Sequence, residues 1–315
     1  MSADQIETEK VVFFAYQGKE KGAFNDNVES IKHAISEYNQ YQKTYTAKSW
    51  EEYKKSTRIN TEILNAIDKC EVFVGDLTYF NYNVLFELGY AIGKNKRILI
   101  LLNPGVNNSS NVYRDSLLKI LRYTSFKNAQ DIHTALQQKL YQDDLIQKFI
   151  NVEHLKKNSL DLLYLKSDLN NQPSLDLNEK IESFKELRDL SLLVDDPIEV
   201  AYRPVDWYLQ NIYRARCVII HFRGHDMVNA IMENATNSFF AGISVGLGQK
   251  TLLVAPAKYK APLDYYDILI QYESSLNLID SVSDWLEKEL ITEKIKEKIA
   301  KKEEHELNLI KLGIG

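Results

Sequence analysis

The stretch from Glu71 to Leu102, EVFVGDLTYFNYNVLFELGYAIGKNKRILILL, reads as strand, loop, helix and strand, and its reading decides the fold class. Val72, Phe73 and Val74 form a short apolar run that stops at Gly75 and Asp76, Arg97 to Leu102 form another, and the residues between them carry helical spacing. Such a unit belongs to a parallel α/β sheet, where ligands sit beyond the carboxyl ends of the strands. Asp76 falls at that end. Within the helix, Glu87 has Asn83 and Val84 one turn before it and Tyr90 and Ala91 one turn after it, so no Lys or Arg is spaced to pair with it locally. Burying a carboxylate alone is costly, which predicts an open cleft around Glu87. Asn83 shares its helical face, so Asp76, Asn83 and Glu87 are expected to converge on one polar site. The competing reading is a structural carboxylate that caps or pairs with a distant base.

The string DLTYFNYNVLFELGYAIGKNKRILIL resembles the D-L-T-x-x-N-x-N-V-x-x-E-L-G-x-A motif of the TIR-like and nucleoside 2-deoxyribosyltransferase-like superfamily, and the resemblance runs from Val11 through Leu102. It implies a flavodoxin-like sheet and a carboxylate, here Glu87, that acts on an N-glycosidic bond. Bacterial TIR-type enzymes cleave NAD and commonly serve as anti-phage effectors. The resemblance therefore implies an NAD glycohydrolase (NADase) with Glu87 catalytic; from their positions in the chain, Tyr16 and Trp50 are expected to stack on the base, Asp76 and Asn83 to orient ribose or water, and Gln17 to contact substrate. NAD enters as substrate, with no separate cofactor and no metal. Two alternatives stay open: a deoxyribosyltransferase or nucleotide N-glycosidase with Glu87 as nucleophile, and a non-catalytic sensor of a nucleotide signal.

Composition sets the frame for these readings. The 315 residues exceed the usual single domain, and each half is long enough to bury a core of its own. A net charge of −5 argues against binding to a nucleic-acid backbone. The polar opening MSADQIETEK is no signal peptide, no apolar run is long enough to span a membrane, and two cysteines make no disulfide framework, so a cytoplasmic protein is expected.

In chain order, Val11 to Tyr16 reads as the first strand and Gln17 to Phe24 as a loop, with Asn25 or Asp26 capping a helix that places Val28, Ile31 and Ile35 on one face. Tyr45 to Trp50 reads as a second strand, and a helix from Thr57 to Asp68 carries Ile59, Ile63 and Ile67 as a core stripe. After the turn-rich segment Asn103 to Asn111, Ile120 to Tyr123 is expected to be the last strand, followed by a helix with Ile132, Leu136 and Leu140. Gln137 to Lys157, without Pro or Gly, is expected to form a rigid helical connector.

The second half repeats the first weakly. Leu162 to Leu165 and Glu199 to Tyr202 stand for the first two strands, a helix from Val205 to Ala215 leads into the strand Cys217 to Phe222, and Leu269 to Tyr272 with the helix through Val282 and Trp285 closes the copy. LGYAIGKNKRILIL from Leu88 matches AGISVGLGQKTLLV from Ala241 without a gap, which sets Gly89 and Gly93 on Gly242 and Gly246. Each pair forms a small-residue patch on a helix, where a strand is expected to approach closely. In that register Glu87 falls on Phe240, Asn83 on Thr236 and Asp76 on or near Phe222, with an insertion from Arg223 onward. The second copy keeps the scaffold, lacks the carboxylates, and reads as catalytically dead, either a ligand cleft or an interface.

Other tempting motifs fail. In GLGQKT, Gly246 to Thr251, a helix precedes and a strand follows, the reverse of a phosphate loop. His221 and His225 have no third ligand nearby in sequence. Residues 291–315 read as a final charged helix with Ile291, Ile295 and Ile299 in a narrow stripe that packs on its own domain or joins a partner helix in an oligomer. The expected organisation is thus a catalytic domain over 1–152, a degenerate one over 153–290, and a terminal helix over 291–315.

Overall fold

The computed structural model describes residues 10–18, 26–42, 44–53, 59–106, 109–150, 155–166, 172–195, 203–227, 229–297 and 299–300. The elements of the first half are β1 (Lys10–Ala15), α1 (Asp26–Tyr41), β2 (Tyr45–Ser49), α2 (Ile59–Lys69), β3 (Val72–Asp76), α3 (Tyr82–Gly93), β4 (Arg97–Leu102), α4 (Ser109–Asp115), β5 (Thr124–Ser125), α5 (Ala129–Gln137) and α6 (Leu145–Phe149). Those of the second are β6 (Leu160–Leu165), α7 (Gln172–Arg188), β7 (Leu192–Asp195), α8 (Val205–Arg214), β8 (Ala215–His221), α9 (Ala230–Gly246), β9 (Lys250–Pro256), β10 (Leu269–Tyr272) and α10 (Ser275–Leu286). They build two all-parallel five-stranded sheets, ordered β2-β1-β3-β4-β5 and β7-β6-β8-β9-β10, which is the flavodoxin-like order twice over.

Alternation along the strands sorts the cores into layers. In the first sheet Val12, Phe14, Val72, Val74, Leu99 and Leu101 face outward onto α1 and α5. Their neighbours Phe13, Phe73, Ile98 and Ile100 face inward onto α2 and α3. The second sheet mirrors this, with Leu162, Tyr164, Cys217 and Ile219 beneath α7 and α10. The inward faces of both sheets belong to a single cluster that runs from Phe13 through α3 and α9 to Val218. The two halves therefore have separate outer cores and share the inner one, so neither half buries its apolar surface alone.

The shared layer is centred on α3 and α9. The glycine patches meet each other there, helix against helix, where the sequence leads one to expect a strand. A Cβ on Gly89 would collide with the backbone of Phe239 and Ile243, and one on Gly242 with the backbone of Phe86 and Tyr90. Gly93 and Gly246 face one another, with a Cβ on either falling 2.9 to 3.0 Å from the other's Cα. Residue pairs thus exchange across a local two-fold, the pattern of an isologous dimer interface reproduced within one chain. Missing side chains let two helix backbones touch, an effect of small residues that does not depend on the surrounding solvent.

Several sequence expectations change. Residues Leu117–Ile120 form a 3-10 turn, and the edge strand comes later at Thr124–Ser125. The 137–157 connector is not a continuous helix: Lys139 and Asp144 adopt left-handed φ of 51° and 53°, Gln142 bridges antiparallel to Ile98, and only α6 is helical among the described residues. α5 ends at Gln137, leaving Leu140 exposed. The second strand of the second half is β7, while 199–202 and the loop residues 19–24 lie outside the described residues. The terminal helix does not begin at residue 291. α10 passes through a π-helical turn, Glu287–Ile291, into further helix, and residues 301–315 lie outside the described residues. Ile291 is buried, but Ile295 and Ile299 are exposed, so the stripe does not pack on its own domain along its length. No described helix is long and apolar enough to cross a membrane.

Candidate functional site

The carboxyl end of β3 carries Asp76, which is 4 % exposed. Its Oδ1 accepts from the Thr78 amide at 3.0 Å and the Thr78 hydroxyl at 2.5 Å. Burial outweighs these bonds and pushes the carboxyl up to about 6. Thr78 Oγ1 also accepts from the Asn103 amide at 2.9 Å, and Asn103 donates through Nδ2 to buried Asn27 at 2.7 Å. Asp76 is therefore the anchor of a network that ties the β3–α3 loop to the end of β4 and the start of α1. Thr78, Asn103 and Asn27 were not singled out by sequence; the Asp-x-Thr spacing of an Asx-type turn was the available signal.

The same loop delivers α3. Asn81 caps the helix, accepting from the amides of Asn83 and Val84 at 2.9 and 3.4 Å. Asn83 is half-buried in the first turn, and Glu87 follows one turn later. Glu87 is 4 % exposed and engaged in interactions, so it does not stand in an open cleft as its sequence context predicts.

Beyond β1, Tyr16 is buried in the outer core with its hydroxyl 2.7 Å from Ser49 Oγ, and burial raises its pKa. Ser49 also accepts from the Glu51 amide at 3.1 Å and so starts the 3-10 turn Trp50–Tyr53 that positions the indole. Trp50 meets Tyr16 edge to face at 6.1 Å and lies 3.1 Å from where a Gly18 Cβ would be. The structure thus joins Tyr16 to Trp50 with Gln17, half-buried, between Tyr16 and Gly18 in sequence, and directs the Asp76 carboxylate toward Thr78.

The second half offers a direct comparison because the strand registers are the same. Asp76 pairs with Leu101 as His221 pairs with Val254, and with Arg97 set on Lys250 the counterpart of Asp76 is His221, one residue before the position expected from sequence. By the same registers Tyr16 corresponds to Lys166 and Trp50 to Asp195. His221 is fully buried between the hydroxyls of Tyr164 (Nδ1, 3.0 Å) and Tyr272 (Nε2, 2.8 Å), and burial pushes its pKa down to about 3. Both ring nitrogens are thereby occupied, and His225 is stacked on Tyr259 and Tyr82 across the domain boundary. Among the described residues no group of three or more His, Cys, Asp or Glu is placed to hold a metal. Both cysteines are free and buried, their thiols pushed up to about 12 by burial.

The counterparts of four candidate residues line one cavity of about 290 Å³: Lys166 for Tyr16, Asp195 for Trp50, Thr236 for Asn83 and Phe240 for Glu87. The strand-end cleft of the repeat is therefore open in the second domain, with a different set of side chains.

No family model matches the chain, and no curated protein matches it significantly. Among solved structures it is similar to a LacI-family regulatory protein from Chloroflexus aggregans at 10 % identity and a TM-score of 0.22, over 86 % of this chain and 87 % of that one. The class defined by fold and site is a tandem flavodoxin-like α/β protein with a strand-end cleft in its second copy.

Proposed function

We propose that the first domain is an NAD glycohydrolase whose catalytic carboxylate is Glu87. The observation that carries this reading is the string from Asp76 to Ala91, which resembles the TIR-like and deoxyribosyltransferase-like motif residue by residue and runs from the end of β3 to the last turn of α3. The arrangement of the second domain lends support, since the counterparts of Tyr16, Trp50, Asn83 and Glu87 all border one cavity there. In the reaction, the bond between ribose C1′ and the nicotinamide nitrogen breaks, water supplies hydroxide to C1′, and ADP-ribose, nicotinamide and one proton leave. Positive charge builds on the ribosyl ring as the bond breaks, and the Glu87 carboxylate stabilises it or holds the ribose hydroxyls. Trp50 offers a half-buried ring for the base, whereas Tyr16 supports Trp50 from the core. The resemblance extends to an anti-phage role through NAD depletion in the cytoplasm, and to assembly into an oligomer or with a partner protein.

A mass-spectrometric screen of the purified chain against NAD, NADP and deoxynucleosides tests the assignment. Loss of NAD with release of nicotinamide is expected. Exchange of bases between deoxynucleosides, with NAD intact, would move Glu87 to the role of nucleophile in a transferase.

A further inference from the structure

The cavity in the second domain differs from its counterpart in the side chains that line it, and its wall is built by both domains. Lys166, at the end of β6, is 7 % exposed and borders it, as do Arg203 and Lys119. Arg203 donates to Asp195 at 2.9 Å and lies 4.3 Å above the Trp207 ring, a fixed guanidinium rather than a mobile one. Glu233 on the rim is paired with buried Arg223. Three cations, Lys119, Lys166 and Arg203, and three carboxylates, Asp115, Asp195 and Glu233, thus line the cavity, with Asp195 paired to Arg203 and Glu233 to Arg223 behind the wall. Where Glu87 stands in the first domain there is Phe240, which stacks on Tyr208 at 4.6 Å and 23° and gives the cavity an aromatic wall. Thr236 and Asn237 add neutral hydrogen-bonding groups beside it.

One wall belongs to the other domain. Asp115, Ser116, Leu117 and Lys119 come from the end of α4 and the turn that follows it in the first domain. The contact is reciprocal: Tyr265, in the matching segment of the second domain, packs 5.3 Å from Phe86, the residue before Glu87. A molecule in this cavity would touch both domains.

We propose that this cavity is a binding site for a small ligand that joins a flat aromatic ring to a phosphate, a nucleoside monophosphate being the simplest, held without turnover. The cations take the phosphate, the Tyr208–Phe240 wall takes the ring, and the missing helix carboxylate removes both the chemistry and the repulsion of an anion. The cavity volume is near the lower end for small-molecule sites and suits a mononucleotide better than a dinucleotide.

Calorimetric titration of the full chain with AMP, GMP, CMP and UMP tests the proposal. At least one is expected to bind saturably to a site that Glu87→Gln leaves intact and that Lys166→Gln weakens about tenfold. Lys119→Gln, a change at an exposed turn of the other domain, should weaken it as well and serves if Lys166→Gln fails to fold. The proposal is overturned if none of the four binds, if binding is indifferent to the lysine changes in folded protein, or if Glu87→Gln abolishes it. That last result would place the nucleotide in the first domain and leaves the glycohydrolase reading standing, whereas inactivity toward NAD would leave this site untouched.

Discussion

Asp76 is a buried carboxylate whose ionisation the fold resists. Unfolded, it titrates near 3.8; folded, near 6. Because the folded value is the higher one, the stability linked to its proton is complete below the unfolded value and is lost as pH rises through about 6. Asn at this position can still accept both bonds from Thr78, so Asp76→Asn should come close to the parent near pH 4 and exceed it above pH 6, by up to about 3 kcal/mol. Urea unfolding at the two pH values measures this, and a gap that does not change with pH would show that Asp76 is not held near 6. At Phe240, which is 2 % exposed but borders the cavity, Phe240→Glu should create no second active site, since Lys166, Asp195 and Thr236 stand where Tyr16, Trp50 and Asn83 stand in the first domain. It should cost a few kcal/mol in thermal or chemical unfolding, because the charge replaces a ring stacked on Tyr208. Unchanged stability would mean that the cavity solvates that position fully.

At the scale of elements, the paired glycines carry the most specific expectation. Gly to Ala inside an ordinary helix gains up to about 1 kcal/mol. Gly89→Ala and Gly242→Ala should instead each lose about 1 to 3 kcal/mol, because the added methyl meets the backbone of the opposite helix rather than a yielding side chain. Denaturant midpoints of the two variants give the answer, and a gain in either would contradict the helix contact. Most of the strands and the glycine pairs were legible in the sequence, since apolar runs and spacing are local signals. The partner of the glycines was not, because a patch of small residues says that something comes close without saying what. The breaks at Lys139 and Asp144 also went unread, as non-glycine residues in left-handed conformation leave no mark in composition. α7 carries little sequence signal, because Leu177, Ile181 and Phe184 are set among charged residues. For the site, the motif gave Asp76, Asn83 and Glu87 by position. The exchange of Tyr16 and Trp50 for Lys166 and Asp195 emerged only from strand registers, which are non-local.

On the scale of the whole molecule, two flavodoxin-like units share one inner core around a local two-fold, and each sends a segment to the other's helix or cavity. The far surface, on the outer side of the second domain, exposes Leu187, Ile295 and Ile299. Under the proposed glycohydrolase reading, a chain that consumes NAD has to be silent at rest, and a population shift on assembly would supply that silence. Turnover per chain should therefore rise with protein concentration over a hundredfold range, in step with mass by light scattering; a monodisperse monomer of constant turnover would contradict it. The most direct test of the central claim is release of nicotinamide from NAD by the parent chain and by Glu87→Gln at the highest of those concentrations, with thermal unfolding followed in parallel. The account predicts nicotinamide equal to NAD lost for the parent and none for the variant, at closely similar unfolding temperatures. Equal release by both, or intact NAD with the assembled parent, would contradict it.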